Sequence, residues 1–232
     1  MKVRIKFKKY GPMKFIGHLD IMRYFQKSMR RAEIDIAYST GFSPHQIMSF
    51  ASPLGVGLCS EGEYFDIELS SHNGSENMKN ALNRVMVPGI EIVSIKELSD
   101  QNANAMACVA AAKYDISLKD GILTEKIKKQ AEQFFNQSTI LVTKQTKKNE
   151  ISIDLKSHIY EYKVTENGFK LFVDASSSGN IKPTLVMEAL YQYCDDTFDS
   201  FAYQIARIDT YTNIGNEEQP QFVPLDGVGV DF

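Results

Sequence analysis

Lys2-Val3-Arg4-Ile5-Lys6-Phe7-Lys8 decides how this chain is read. Charged and apolar side chains alternate at every step, which is the period of a strand with one dry face. Past Gly11-Pro12, the residues Ile21, Met22, Phe25, Met29 and Ala32 recur at three- and four-residue spacing. That spacing predicts a helix over 18–32 with one apolar stripe. Next come Ile34–Ser39, a turn rich in Gly, Ser and Pro, and Gln46–Phe50; Glu63–Leu69 alternates as a strand, and Met78, Ala81, Leu82 and Val85 predict a helix over 75–85 with Ser75 at its cap. Pro88-Gly89 ends that helix, and Ile90–Ile95 reads as a strand. The order is β-α-β-β-α-β, that of a ferredoxin-like half.

A similar order follows. Tyr114–Leu118 reads as a strand, then a helix with Ile127, Ala131, Phe134 and Phe135 behind a Thr124 cap. Ile140–Lys144, Ile151–Leu155 and Gly168–Ala175 read as strands, and Ile159–Val164 as an extra strand-like piece. Pro183 opens a helix with Val186, Ala189, Leu190 and Tyr193, and Tyr203–Tyr211 is a last strand. The expected fold class is α+β, two ferredoxin-like halves in tandem. Residues 1–98 and 111–212 are the expected domains. The stretch 99–110 is a linker, and 213–232 is an acidic, flexible tail.

Hydrophobic residues make up 43% and charged residues 24% of 232, values of a globular protein. Apolar runs fall short of the ~18 residues that span a bilayer, and the alternating opening differs from a secretory leader. The expectation is a cytoplasmic protein with no membrane partner. Cys59, Cys108 and Cys194 are far apart in sequence, so neither a disulfide framework nor an iron–sulfur cluster is expected. No cofactor is expected to bind, and no metal.

Charge is unevenly spread. Residues 1–50 carry ten Lys/Arg against three Asp/Glu, while 51–110 carry three against eight. The basic end therefore meets either an anionic partner or the chain's own acidic remainder. On the helix over 18–32, Arg23, Lys27 and Arg30 form a basic stripe with Arg31 beside it. With Tyr38 and Phe42 nearby, such a stripe suits phosphate contact plus base stacking, and it equally suits a solvated face. Gly41 and His45 belong to the same Gly/Ser/Pro-rich stretch, of the kind that lines sites. His18, at the helix start, is the one catalytic candidate. A neutral imidazole there serves as a general base, contacts phosphate, or bonds to backbone. Gly55-x-Gly57 matches neither nucleotide fingerprint.

Phe15-Ile16-Gly17-His18-Leu19-Asp20, Arg30-Arg31-Ala32, Tyr38-Ser39-x-Gly41-Phe42-Ser43-Pro44-His45 and Ser49-Phe50-Ala51-x-Pro53-Leu54 together resemble the radical SAM-linked protein family. This is a bacterial domain of unknown function found fused to radical SAM proteins or encoded beside them. The resemblance implies a separate radical SAM protein as partner, because this chain lacks a cluster-binding half. It implies no reaction. The expected function is an accessory module that binds an RNA or ribonucleoprotein substrate for modification. Arg23, Lys27, Arg30 and Arg31 would hold phosphates, and His18, Tyr38, Phe42 and His45 would line a recognition pocket. Two alternatives stay open: a metal-independent ribonuclease using His18, and a protein–protein adaptor.

Overall fold

A computed structural model describes residues 1–145, 150–216 and 218–232. The chain divides into two compact units, Met1–Ala110 with Arg207–Phe232, and Ala111–Ala206. The first contains β1 (Lys2–Lys9), α1 (His18–Arg31), β2 (Met48–Phe50), β3 (Cys59–Glu68), α2 (Ser75–Val85) and β4 (Ile90–Glu97). The second contains β5 (Ala111–Leu118), α3 (Glu125–Phe135), β6 (Leu141–Gln145), β7 (Glu150–Asp154), β8 (Ile159–Val164), β9 (Gly168–Asp174) and α4 (Pro183–Tyr193). The strand β10 (Tyr203–Asn213) crosses the division, and β11 (Phe222–Pro224) lies back in the first unit. The class is α+β, with four α-helices among the described residues.

In the first unit β1 lies between β4 and β3, antiparallel to both. Beyond them β10 and β2 both pair with β3. Val3, Ile5 and Phe7 form the dry face of β1 and join Ile21, Phe25 and Met29 of α1 and Met78 and Leu82 of α2 in one core. Phe7, Phe25, Phe50 and Phe65 meet there, with ring centroids 4.7 Å apart for Phe7–Phe25 and 4.6 Å for Phe25–Phe65. Such edge and offset contacts add to the burial of large rings. Helix α2 begins at Ser75 itself, after Gly74, so Ser75 is not its cap; its hydroxyl donates to the carbonyl of Phe232.

The charged face of β1 departs from the simple strand pattern. Arg4 is 0% exposed. Its guanidinium donates to both carboxylate oxygens of Asp66, directly opposite on β3, at 2.8 and 2.9 Å. It also donates to the carbonyls of Leu225 and Ala103. Lys6 donates to Asp209 at 2.7 Å. The hydroxyl of Tyr64 donates to Asp209 at 2.5 Å and to Asp226 at 3.1 Å. Burial and the two carboxylates push the Tyr64 phenol far above its usual value, so it stays a donor. At Gly62 an added Cβ would lie 3.0 Å from the Cα of Asp209, so only glycine permits this approach of β10 to β3.

What covers this face corrects two expectations. The stretch 99–110 is docked, not a surface linker. Ala105 is buried, and its N–H donates to Asp66 at 2.7 Å. The stretch 213–232 is not a loose tail. β11 pairs with β10, Leu225 is fully buried, Val230 bridges to Glu97, and Phe232 packs on the core. The boundaries 1–98, 111–212 and 213–232 therefore give way to the two units above. Of the acidic residues in this stretch, Asp226 lies 3.9 Å from Lys6 of β1 and Asp231 accepts from Lys96 of β4, pairings that hydropathy alone does not register.

The second unit follows β10-β5-β9-β8, with Tyr203–Ala206 of β10 belonging to it. Ile159–Val164 pairs with β9 in this sheet, with a register shift between Ile159 and Glu161, and β6 and β7 pair antiparallel apart from it. The side chain of Thr124 accepts from the N–H of Ile127 and caps α3. Phe135 of α3 stacks on Tyr162 of β8, with centroids 4.4 Å apart.

Removing one partner of a buried ion pair leaves the other uncompensated. Arg4→Met should therefore cost about 3–5 kcal/mol of stability in urea unfolding. The double variant Arg4→Met, Asp66→Leu should recover most of that loss. A single variant as stable as wild type would show that Arg4 does not organise this face.

Candidate functional site

Gly17 precedes α1, and the helix turns Ile21, Phe25, Ser28 and Met29 inward while Leu19 and its basic residues meet solvent. Arg23, Lys27 and Arg30 are exposed. Arg23 lies 3.5 Å from Asp20, one turn earlier and equally exposed, a pairing worth little in water. Lys27 and Arg30 have no ion-pair partner among the described residues. Arg31 is occupied differently. It donates to Ser28 and to the carbonyl of Val85, and it lies over the ring of Tyr24 at 5.7 Å.

Tyr38, Gly41, Phe42 and His45 share one hairpin-like loop. Tyr38 bridges to Gln46, and the N–H of Ser39 donates to the carbonyl of His45 at 2.8 Å. The hydroxyl of Ser39 meets His45 Nδ1 at 2.9 Å. Gly41, at φ 112°, takes the backbone conformation that side chains resist. The loop leaves Phe42 fully in solvent, at 110% relative exposure. A phenyl ring this exposed is one available for contact with something else.

His18 is elsewhere. It lines a cavity of about 20 Å³ with Lys9, Phe50, Ser52, Pro53, Leu54 and Glu63, and none of Tyr38, Phe42 or His45 lines it. The expected four-residue pocket thus separates into an exposed loop and a buried cavity. The His18 ring meets the edge of Phe50, with centroids 5.5 Å apart. Burial lowers the imidazole pKa, and nearby Lys9 lowers it further against the pull of Glu63.

Three members of this cluster were not singled out by sequence. Lys9 is 3% exposed. Glu63 accepts from Arg207 at 2.8 and 2.5 Å, and Arg207 also donates to the carbonyl of Ser52. Burial lowers the Lys9 pKa, with Glu63 opposing and Arg207 reinforcing the shift. One signal was present in the sequence. Lys9 falls in phase with Val3, Ile5 and Phe7, so a strand continued to residue 9 carries it onto the dry face. Nothing local marks Arg207, which is 144 residues from its partner. Among the described residues no three His, Cys, Asp or Glu side chains gather where they could hold a metal ion. No helix among them is long and apolar enough to cross a membrane.

The bacterial family described as "Uncharacterized protein conserved in bacteria (DUF2344)" matches residues 2–183. The chain belongs to this family. No curated protein matches it. Among solved structures, a chain from "Crystal Structure of a Cbf5-Nop10-Gar1 Complex" is similar, with TM-score 0.50 and 8% identity over 90% of this chain. This family member spans 48% of that solved chain. At such identity the likeness concerns fold alone.

The lowered pKa of His18 means that the folded state binds its proton less readily than the unfolded state. Stability should therefore fall as pH drops from about 6.5 through the folded-state value, and His18→Phe should flatten that fall. Imidazole NMR titration checks the cause directly. A His18 midpoint at or above about 6.5 would contradict the assigned environment.

Proposed function

We propose that this chain is an accessory module that binds RNA through the outer face of α1 and works beside a separate radical SAM enzyme in RNA modification. One observation carries the RNA part. The strand cations Arg4, Lys6 and Lys8 meet acidic groups of the chain itself, at Asp66, Asp209, Glu61 and Glu91. The helix cations Lys27 and Arg30 do not, and Arg23 meets only exposed Asp20. Of the cations in residues 1–50 that lack an ion pair among the described residues, Lys27 and Arg30 lie together on one exposed helix, while Lys2, Lys9 and Lys14 are half-buried or buried elsewhere. Exposed Tyr38 and Phe42 offer rings on which bases stack, a contact worth about 1–3 kcal/mol per base. The radical SAM partner rests on the motif resemblance, and family membership is compatible with it.

The tandem ferredoxin-like reading belongs to the same proposal. Orders β4-β1-β3-β2 in the first unit and β10-β5-β9-β8 in the second are what two such units would give. A catalytic reading draws support from the neutral His18 imidazole, and cleavage of bound RNA that is lost in His18→Ala would favour it.

The test is a triple variant, Arg23→Ala, Lys27→Ala, Arg30→Ala. It should fold as wild type, within about 0.5 kcal/mol per exposed substitution. It should bind labelled cellular RNA more weakly, with the salt slope flattened by roughly 0.7 per lost contact. Equal binding by variant and wild type would sink the RNA reading. Binding by neither, with a stable complex with the radical SAM enzyme, would put the adaptor reading in its place.

A further inference from the structure

Lys9 as a residue is 3% exposed, and its ammonium, not fully sealed from solvent, has no hydrogen bond or ion pair among the described residues. A charge held this far from bulk water without a partner is costly. Its only lining carboxylate is already taken, since both oxygens of Glu63 accept from Arg207. Lys9, Glu63 and Arg207 with a neutral His18 therefore leave one net positive charge beside an enclosed space. That space, about 20 Å³, holds about one water-sized atom group. Pro53, which lines it, is exposed, so the space is reached from solvent.

We propose that the Lys9 cavity is an oxyanion subsite, which takes a single projecting oxygen of a phosphate or carboxylate group. The ammonium supplies the charge, and His18 supplies a polar ring that can donate. The volume admits one oxygen and keeps the rest of the group outside, beside Pro53. An apolar end group would leave the ammonium unpaired. A cation would meet a like charge. This subsite is independent of the α1 face, which stands or falls separately.

The same cluster predicts an unusual stability effect. With its pKa lowered, Lys9 disfavours the folded state below its folded-state value, and stability rises with pH from there to the ordinary lysine range near 10.5. In the absence of anions, Lys9→Met should be as stable as wild type or more so, and should lose this rise.

The direct experiment titrates inorganic phosphate, and separately acetate, into the full chain at fixed ionic strength, followed by NMR. Saturable shifts are expected at the His18 imidazole and the Ser52 and Leu54 amides, with affinity at least about 10-fold weaker in Lys9→Met. Shifts with phosphate alone identify a phosphate ligand, and shifts with acetate alone a carboxylate. The Lys9 Nζ resonance of wild type serves as a second measurement, independent of whether the variant folds. Its pKa should rise when the anion binds. No saturable shift with either anion, shifts unchanged in Lys9→Met, or an unmoved Lys9 pKa would each overturn the proposal.

Discussion

The buried pair between Arg4 and Asp66 is the constraint on which the first unit turns. A guanidinium at 0% exposure must satisfy its donors within the protein. Asp66 takes two of them, and the carbonyls of Ala103 and Leu225 take others. Those two carbonyls come from segments 99 and 221 residues away in sequence. One side chain on the first strand thus fixes the stretch after β4 and the stretch after β11 on the same sheet face. Lys6, Tyr64, Asp209, Ser94 and Asp226 extend the polar layer beside it. Replacing such a layer by apolar residues often leaves stability unchanged. Its contribution here is one of arrangement, since it admits the acidic stretch and the basic strand in one register.

That arrangement gives the basic excess near the start of the chain two fates. On β1, Arg4, Lys6 and Lys8 fall on a face that carries the chain's own carboxylates. On α1 the apolar stripe is turned inward, and helical geometry leaves Arg23, Lys27 and Arg30 outside. The proposal of an anionic partner therefore rests on three side chains, not on the net charge of the segment. Lys9 is a third case. It lies inside like the strand cations, yet among the described residues it lacks the carboxylate that they have.

Much of the fold was legible because it follows local periodicity. The stripe of Ile21, Phe25 and Met29, the Thr124 cap and Pro183 in the first turn of α4 mark their elements without reference to distant chain. Alternation in β1 revealed the strand but not the fate of its charged face, because period two says which residues share a face and nothing of what covers it. Nothing in the sequence near Asp66, Asp209 and Asp226 marks their partners; the fold brings them to Arg4, Lys6 and Tyr64. The candidate site divides the same way. The α1 stripe is helical arithmetic. The cluster of Lys9, His18, Glu63 and Arg207 needs three strands and a helix start to converge, and only His18 stood out beforehand.

The sorting of these cations is open to direct measurement by amine-reactive footprinting with mass spectrometry, in the presence and absence of cellular RNA. In the free protein Lys27 should be modified readily, while Lys6 and Lys9 stay protected. Added RNA should then protect Lys27 and leave Lys6 and Lys9 as they were. Modification of Lys6 as fast as Lys27, or Lys27 reactivity untouched by RNA, would contradict the account.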